Sequence, residues 1–387
     1  MSSLEAFKDA FMMILSVSEE HVEKMLIEQK RNILAAVSML REAMVKGNRI
    51  HITGMGRSKL AGMIVGELLK LLGYPTSIIG DFLSKPVKKG DIVIAVSASG
   101  WTTTTCMVVE EAIRRGAKII AFTATKGSKL DRLSDISIYV PGKSAAEETS
   151  YIIRQLAGRH KTPLTPMGTI PETNTILIGS GLVKMLEGTD GGLERFRETI
   201  SMIISNARES FQRIIQDYAD LENVIETISI GRGRTKKKIF IVGTGIGKAV
   251  SLMAAMRFQH LGLNVASVDD WKFRNKDDVL IAISSSGESA FTLLYADEAK
   301  RSEMNVIALT ANAGSRLAKI ADYKLFLSDF SERRDYVRFK VFNGKYSVFV
   351  PGFEYAALIT LEAIVAQIAE NLHVREEEMK LRHANIE

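Results

Sequence analysis

At 387 residues, with 46% hydrophobic and 25% charged side chains, the chain reads as globular and long enough for two or three domain cores. Its formal charge of +6 is modest; the densest basic run, 232–238 (RGRTKKK), precedes an apolar segment with no nucleic-acid motif beside it, so the expected partner is a small anion rather than DNA or RNA. The single cysteine, Cys106, excludes an internal disulfide, and with no leader-like N-terminus and no apolar run read as a bilayer span, a cytoplasmic location without membrane association is expected.

In chain order, residues 1–50 carry helical periodicity, with Met25, Ile33, Leu34, Val37, Leu40 and Met44 spaced along one face. Short apolar strands then alternate with helical runs: His51–Thr53, Thr76–Ile79, Asp91–Val96, Lys118–Phe122 and Ile136–Tyr139. A charged insertion spans 142–161, and the segment Pro166-Met167-Gly168-Thr169 leads into Glu172. The glycine-rich joint GTDGG occupies 188–192. After it come strands at Ile239–Val242, Val265–Val268, Val279–Ile283, Val306–Leu309 and Tyr323–Leu327, an insertion at 331–347, a helix at Tyr355–Asn371 and the tail Leu381-Arg382-His383-Ala384-Asn385.

The second series repeats the first. Leu4, Glu5 and Phe7 correspond to Leu193, Glu194 and Phe196, and the same offset of 189 residues carries Gly54 to Gly243 and Gly73 to Gly262. At Ser97 and Ser284 the offset has become 187. The expected organisation is therefore one unit at 1–187, a linker at 188–192 and a second unit at 193–387. Continuous Val/Ile/Ala strands between helices predict a five-stranded parallel, doubly wound α/β sheet in each unit, with ligands bound beyond the carboxyl ends of the strands.

Two polar turns lie at those ends in each copy. Gly54-Met55-Gly56-Arg57-Ser58-Lys59 lacks the third glycine of a dinucleotide fingerprint, because Lys59 occupies that place, so no dinucleotide cofactor is expected. Ser97-Ala98-Ser99-Gly100-Trp101-Thr102 and its counterpart Ser284-Ser285-Ser286-Gly287-Glu288-Ser289 each set three hydroxyls around a glycine between a strand and a helix. Hydroxyls and free amides at a helix start suit a phosphate, although the same residues also serve as simple caps. Duplication of the whole pattern favours phosphate. The six histidines and one cysteine show no ligand spacing, so no metal is expected.

With Gly-x-Gly after the first strand and Ser-x-Ser-Gly-x-Thr/Ser after the third, the chain resembles the SIS (sugar isomerase) domain family, in tandem. PMGT with Glu172, together with Arg57-Ser58 and the Arg382-His383-x-Asn385 tail, resembles the 6-phospho-3-hexuloisomerases more narrowly. The resemblance implies two flavodoxin-like SIS domains, a phosphorylated hexose or hexulose as ligand, and assembly into a homodimer or larger homo-oligomer. It also implies isomerisation through an enediol, which needs a base at carbon and a proton donor at oxygen. Glu172, its counterpart Glu354 and His383 are the candidate catalytic residues. Arg57, Ser58, Ser97, Ser99 and Thr102 are the candidate phosphate ligands of the first copy, and Ser284, Ser286 and Ser289 those of the second.

The copies are unequal. Ile246-Gly247 replace Arg57-Ser58, Val350-Pro351-Gly352 replace PMGT, and only the second copy ends in the Arg-His tail. In the family that histidine crosses a subunit interface, so the resemblance implies one competent site per chain, built in the first copy and completed by His383. Other SIS enzymes, such as glucosamine-6-phosphate synthase-like, amino-sugar isomerase or deaminase and phosphoglucose isomerases, and a non-catalytic phosphosugar sensor, remain open as alternatives.

Overall fold

The computed structural model describes residues 4–142, 164–166, 168–188, 192–229, 237–329, 341–342, 345–346 and 350–383. Most of both insertions thus lies outside the described residues; of the second, Val341–Phe342 and Lys345–Tyr346 pair as a short antiparallel ribbon.

Two helices, α1 (Glu5–Glu28) and α2 (Lys30–Lys46), precede the first sheet, and α2 stops where Gly47 turns left-handed at φ +68°. The sheet takes the order β2-β1-β3-β4-β5, all parallel, from β1 (Ile50–Gly54), β2 (Thr76–Ile78), β3 (Ile92–Val96), β4 (Lys118–Thr123) and β5 (Ile136–Tyr139). Helices α3 (Gly56–Leu71), α4 (Thr103–Arg114) and α5 (Lys129–Leu133) connect the strands, and α6 (Thr169–Met185) ends the first half. Every residue of β1 and β3 is buried, as expected of β-branched strands covered on both faces.

The second half opens with α7 (Leu193–Gln216) and α8 (Tyr218–Ser229). Its parallel sheet runs β6 (Ile239–Gly243), β7 (Val279–Ile283), β8 (Asn305–Thr310) and β9 (Tyr323–Phe326) in that order, joined by α9 (Ile246–His260), α10 (Ala290–Arg301) and α11 (Arg316–Ile320). Registers agree between halves: Ile50 faces Ile92 as Ile239 faces Val279. The aspartates that start the middle strands agree too. Asp91 accepts from the Arg49 and Lys88 amides, and Asp278 from those of Lys238 and Asn275.

The fifth strand expected at Val265–Val268 is reduced to one bridge between Ile239 and Val265. An edge strand has a partner on one side only. Here Ser267 accepts from the Asp269 amide and starts a 3₁₀ turn at Val268–Phe273, which removes the chain from the sheet.

The halves interlock through their long helices. The opening helix α1 packs on α12 (Gly352–Asn371), the long helix near the end of the chain, while α7 packs on α6 and α3 lies on α9. One apolar cluster therefore runs through both halves, and each half keeps a smaller cluster of its own on the other face of its sheet. Phe7 and Phe11 of α1 meet Phe211 of α7 at ring distances of 6.4 and 5.0 Å. Fully burying one such ring is worth about 2 kcal/mol. Contrary to the sequence expectation, α12 is long and apolar enough to cross a membrane by length and composition. However, 94% of its apolar window is buried inside the fold, which explains the composition without a bilayer. The last helix, α13 (Glu376–Leu381), carries the tail back across α9.

Candidate functional site

The two Ser-rich turns have the same internal geometry. In the first, Ser97 Oγ lies 3.0 Å from Thr102 Oγ1 and accepts from the Gly100 amide at 3.1 Å, while Ser99 Oγ accepts from the Trp101 amide at 3.1 Å. In the second, Ser284 Oγ and Ser289 Oγ are 3.0 Å apart, and the Gly287 and Glu288 amides donate to Ser284 and Ser286 at 3.1 and 3.2 Å. Both turns need glycine. Gly100 and Gly287 sit at φ +67° and +66°, and a Cβ would strike Ser128 Oγ or Ser315 Oγ.

A cavity of about 470 Å³ opens on the first turn. Its wall holds Ser99, Thr125, Gly168 and Pro171 of the first half, and Glu376, Lys380 and His383 of the second. Ser99 and His383 thus meet in one cavity. Ser97 is 2% exposed and closes the turn from behind, and Thr102 is half-buried at the start of α4. Ser58, half-buried in the first turn of α3, lines neither this cavity nor the second.

The second cavity, about 280 Å³, opens on the other turn and holds Ser284, Ser286, Ser289 and Glu354. Glu67 and Leu71 reach it from α3 of the first half. The two cavities therefore each draw walls from both halves, and among the described residues the C-terminal tail lines the first.

Arg57 requires a correction. Expected at the phosphate, its guanidinium is instead buried where the halves meet. Nε donates to Glu172 Oε2 at 2.5 Å, Nη1 to the Met253 carbonyl at 2.6 Å, and Nη2 pairs with Glu362 Oε1 at 2.6 Å. Arg257 closes the cluster, at 3.3 Å from Glu362 Oε2 and 3.7 Å from Glu172 Oε2. Thr169 Oγ1 donates to Glu362 at 2.7 Å and accepts from Arg257 at 3.1 Å. Burial alone would push the Glu362 carboxyl upward, but Arg57 and Arg257 outweigh it and hold the group below its ordinary range. Burial also works against charge on Arg57, where Glu172 and Glu362 prevail and raise it; burial and the neighbouring Arg57 lower Arg257.

Glu172 sits between this cluster and the first cavity. Its Oε2 faces the arginines, and its Oε1 is so close to Gly168 that a Cβ there would lie 2.8 Å away. Since Gly168 lines the cavity, the carboxylate stands directly behind the wall.

His383 is held by a residue that sequence reasoning missed. The His260 ring, 4% exposed at the end of α9, lies 5.0 Å from the His383 ring, and the His260 carbonyl accepts from Arg382 Nη1 at 3.1 Å. Burial, then Arg257, His383 and Arg57, lower His260 to about 3, so it is neutral at physiological pH. Glu376 and Lys380 were likewise missed as cavity residues. Their only sequence signal was a spacing of four before the Arg-His pair.

The SIS domain pattern matches residues 43–159 and 234–329, one segment per sheet. An uncharacterized protein of Aeropyrum pernix is 35% identical over 139 residues, which is 36% of this chain and 65% of that protein, just under two thirds of its length. A protein of Methanocaldococcus jannaschii named 3-hexulose-6-phosphate isomerase is 34% identical over 152 residues, 39% of this chain and 77% of its own. Among solved structures, tagatose-6-phosphate ketose/aldose isomerase from Escherichia coli superposes over 99% of this chain and 96% of its own, with a TM-score of 0.60 at 14% identity, a likeness of fold. The chain thus belongs to the SIS domain family and carries two SIS segments in one polypeptide.

Proposed function

We propose that the protein is a phosphosugar isomerase with one catalytic site per chain, interconverting a 3-ketohexose 6-phosphate and fructose 6-phosphate. The observation that carries this reading is a cavity lined by both Ser99 of the first half and His383 of the second. Phosphate is held by the hydroxyls and amides of the Ser97–Thr102 turn at the start of α4, assisted by the helix dipole. Lys380 adds positive charge on the opposite wall.

The chemistry is a proton shift without net oxidation. A base takes the proton from C2 of the 3-ketose, the C2–C3 enediol forms, and the proton returns at C3. The O2 hydroxyl proton meanwhile moves to O3, leaving the carbonyl at C2. Glu172 is the base, aimed by Arg57 through its other oxygen. His383 is the oxygen-side shuttle, oriented by the neutral His260 ring. Arg57 thereby becomes a positioning residue in this mechanism. The second turn, with Ser284, Ser286, Ser289 and Glu354, binds a phosphosugar, with no histidine in its cavity wall among the described residues. Assembly into a homodimer or larger homo-oligomer belongs to the same proposal and is checked by sedimentation.

The test is a panel of hexose and hexulose 6-phosphates scored for both binding and turnover. Conversion of 3-ketohexose 6-phosphate, reduced at least tenfold in Ser99→Ala, supports the reading. Binding without turnover of any sugar in the panel overturns it in favour of a sensor.

A further inference from the structure

The four charges buried where the halves meet are not placed symmetrically. The offset of 189 residues between the copies sets Arg257 opposite Leu68 and Ile246 opposite Arg57. Along the closing helices Glu354 corresponds to Glu172, which sets Glu362 opposite Ser180. Leu68 and Ser180 are both buried, and Ser180 Oγ donates to the Ile176 carbonyl at 2.7 Å. The first half thus packs the equivalent places with neutral side chains. Replacing a buried ion pair by well-packed neutral residues is often without cost to stability, so packing alone gives no reason for Arg257 and Glu362.

Their contacts give one. Each nitrogen of the Arg57 guanidinium is engaged: Nε by Glu172, Nη1 by the Met253 carbonyl and Nη2 by Glu362. Nε and Nη2 form one edge of the guanidinium, which, left free, grips a single carboxylate through two parallel bonds and occupies both its oxygens. Here the edge is split between two carboxylates. Glu172 is held by Oε2, and its Oε1 stays beside Gly168 in the cavity wall. Arg257, 3.3 Å from Glu362 Oε2, supplies the counter-charge that lets a second carboxylate stand here. We propose that Glu362 and Arg257, both of the second half, are positioning residues for the site of the first: they fix the Arg57 guanidinium so that Glu172 keeps one oxygen for the substrate. This rests on reading Glu172 as the base of the isomerisation.

Steady-state kinetics of the full chain carrying Arg257→Met/Glu362→Met, with 3-ketohexose 6-phosphate as substrate, tests it. Both charges leave together, so Arg57 and Glu172 remain as a matched pair. Rates are expressed per folded chain, read by circular dichroism. The expected result is a fall in kcat of at least tenfold, with KM and the inhibition constant of inorganic phosphate each within about threefold of wild type, because the Ser97–Thr102 turn is untouched. Glu362→Gln, assayed below its unfolding midpoint, is expected to show the same split and serves if the double variant does not fold. An unchanged kcat in either folded variant overturns the proposal. So does a kcat loss accompanied by equal weakening of KM and phosphate inhibition, which marks a general loosening of the fold. Turnover by wild type with no effect of the variants overturns the positioning role alone, whereas wild type without turnover overturns the isomerase reading and this role with it.

Discussion

Glu362→Gln removes one charge from the buried cluster that joins the halves, and its cost can be worked from the contacts. Glu362 is 1% exposed and faces Arg57 at 2.6 Å, Arg257 at 3.3 Å and the Thr169 hydroxyl at 2.7 Å. With its charge gone, two guanidiniums share Glu172 alone. Removing one partner of a buried pair costs about 3–5 kcal/mol, and a unit-charge pair 4 Å apart interacts by about 4 kcal/mol at an effective dielectric of 20. Glutamine keeps an acceptor for Thr169, worth about 1 kcal/mol, which places the loss near 3 kcal/mol. Against a typical total of about 5–15 kcal/mol this is a large effect. Urea unfolding followed by circular dichroism measures it. Urea is the denaturant of choice because guanidinium salts screen the charges under test. The paired change Arg257→Met/Glu362→Met removes one charge of each sign and is expected to cost no more than about 2 kcal/mol. A loss under about 1 kcal/mol in Glu362→Gln, or a double variant as unstable as the sum of its singles, would exclude a coupled buried charge cluster.

Gly287→Ala is expected to destabilise the second half by about 2 kcal/mol or more, since it combines φ +66° with a collision against Ser315; thermal unfolding reads it, and a change under about 0.5 kcal/mol would contradict the geometry. His260 is neutral in the folded state, with its pKa lowered to about 3, whereas in the unfolded chain it titrates near 6.5. The unfolded state therefore takes up a proton first, and this group's stabilising contribution is lost as pH falls from about 6.5 toward 3, by at most about 1.4 kcal/mol per unit. Comparing wild type with His260→Phe across that range isolates the effect, and identical slopes would exclude it.

Much of this was legible because it is local. Strand composition gave nine of the ten expected strands, and the Ser-x-Ser-Gly pattern with its glycine marked both turns. The lost strand at Val265–Val268 has the same β-branched residues as the others. Its fate depends on Ser267 within it, on Asp269 just beyond its end and on having one neighbour instead of two. Arg57 was misplaced for a different reason. Its sequence context, a polar turn, speaks for a ligand, while its actual partners Glu362 and the Met253 carbonyl are brought to it only by the packing of α3 on α9 and α12 on α9. Isolated charges such as Arg257 and Glu362 inside otherwise apolar helical runs were the available signal. A buried charge requires a counter-charge, and two such residues of opposite sign are candidates for each other. His260 was overlooked because a histidine at a helix end resembles a surface residue until the tail is seen folding onto it.

In the proposed mechanism the tail of the second half completes the site of the first. Steady-state kinetics of His383→Gln with 3-ketohexose 6-phosphate tests this most directly. The expected result is a fall in kcat of about 100-fold or more with KM within about threefold, because a shuttle acts in the transition state and not in phosphate binding. Unchanged kcat, or a loss confined to KM, would contradict it.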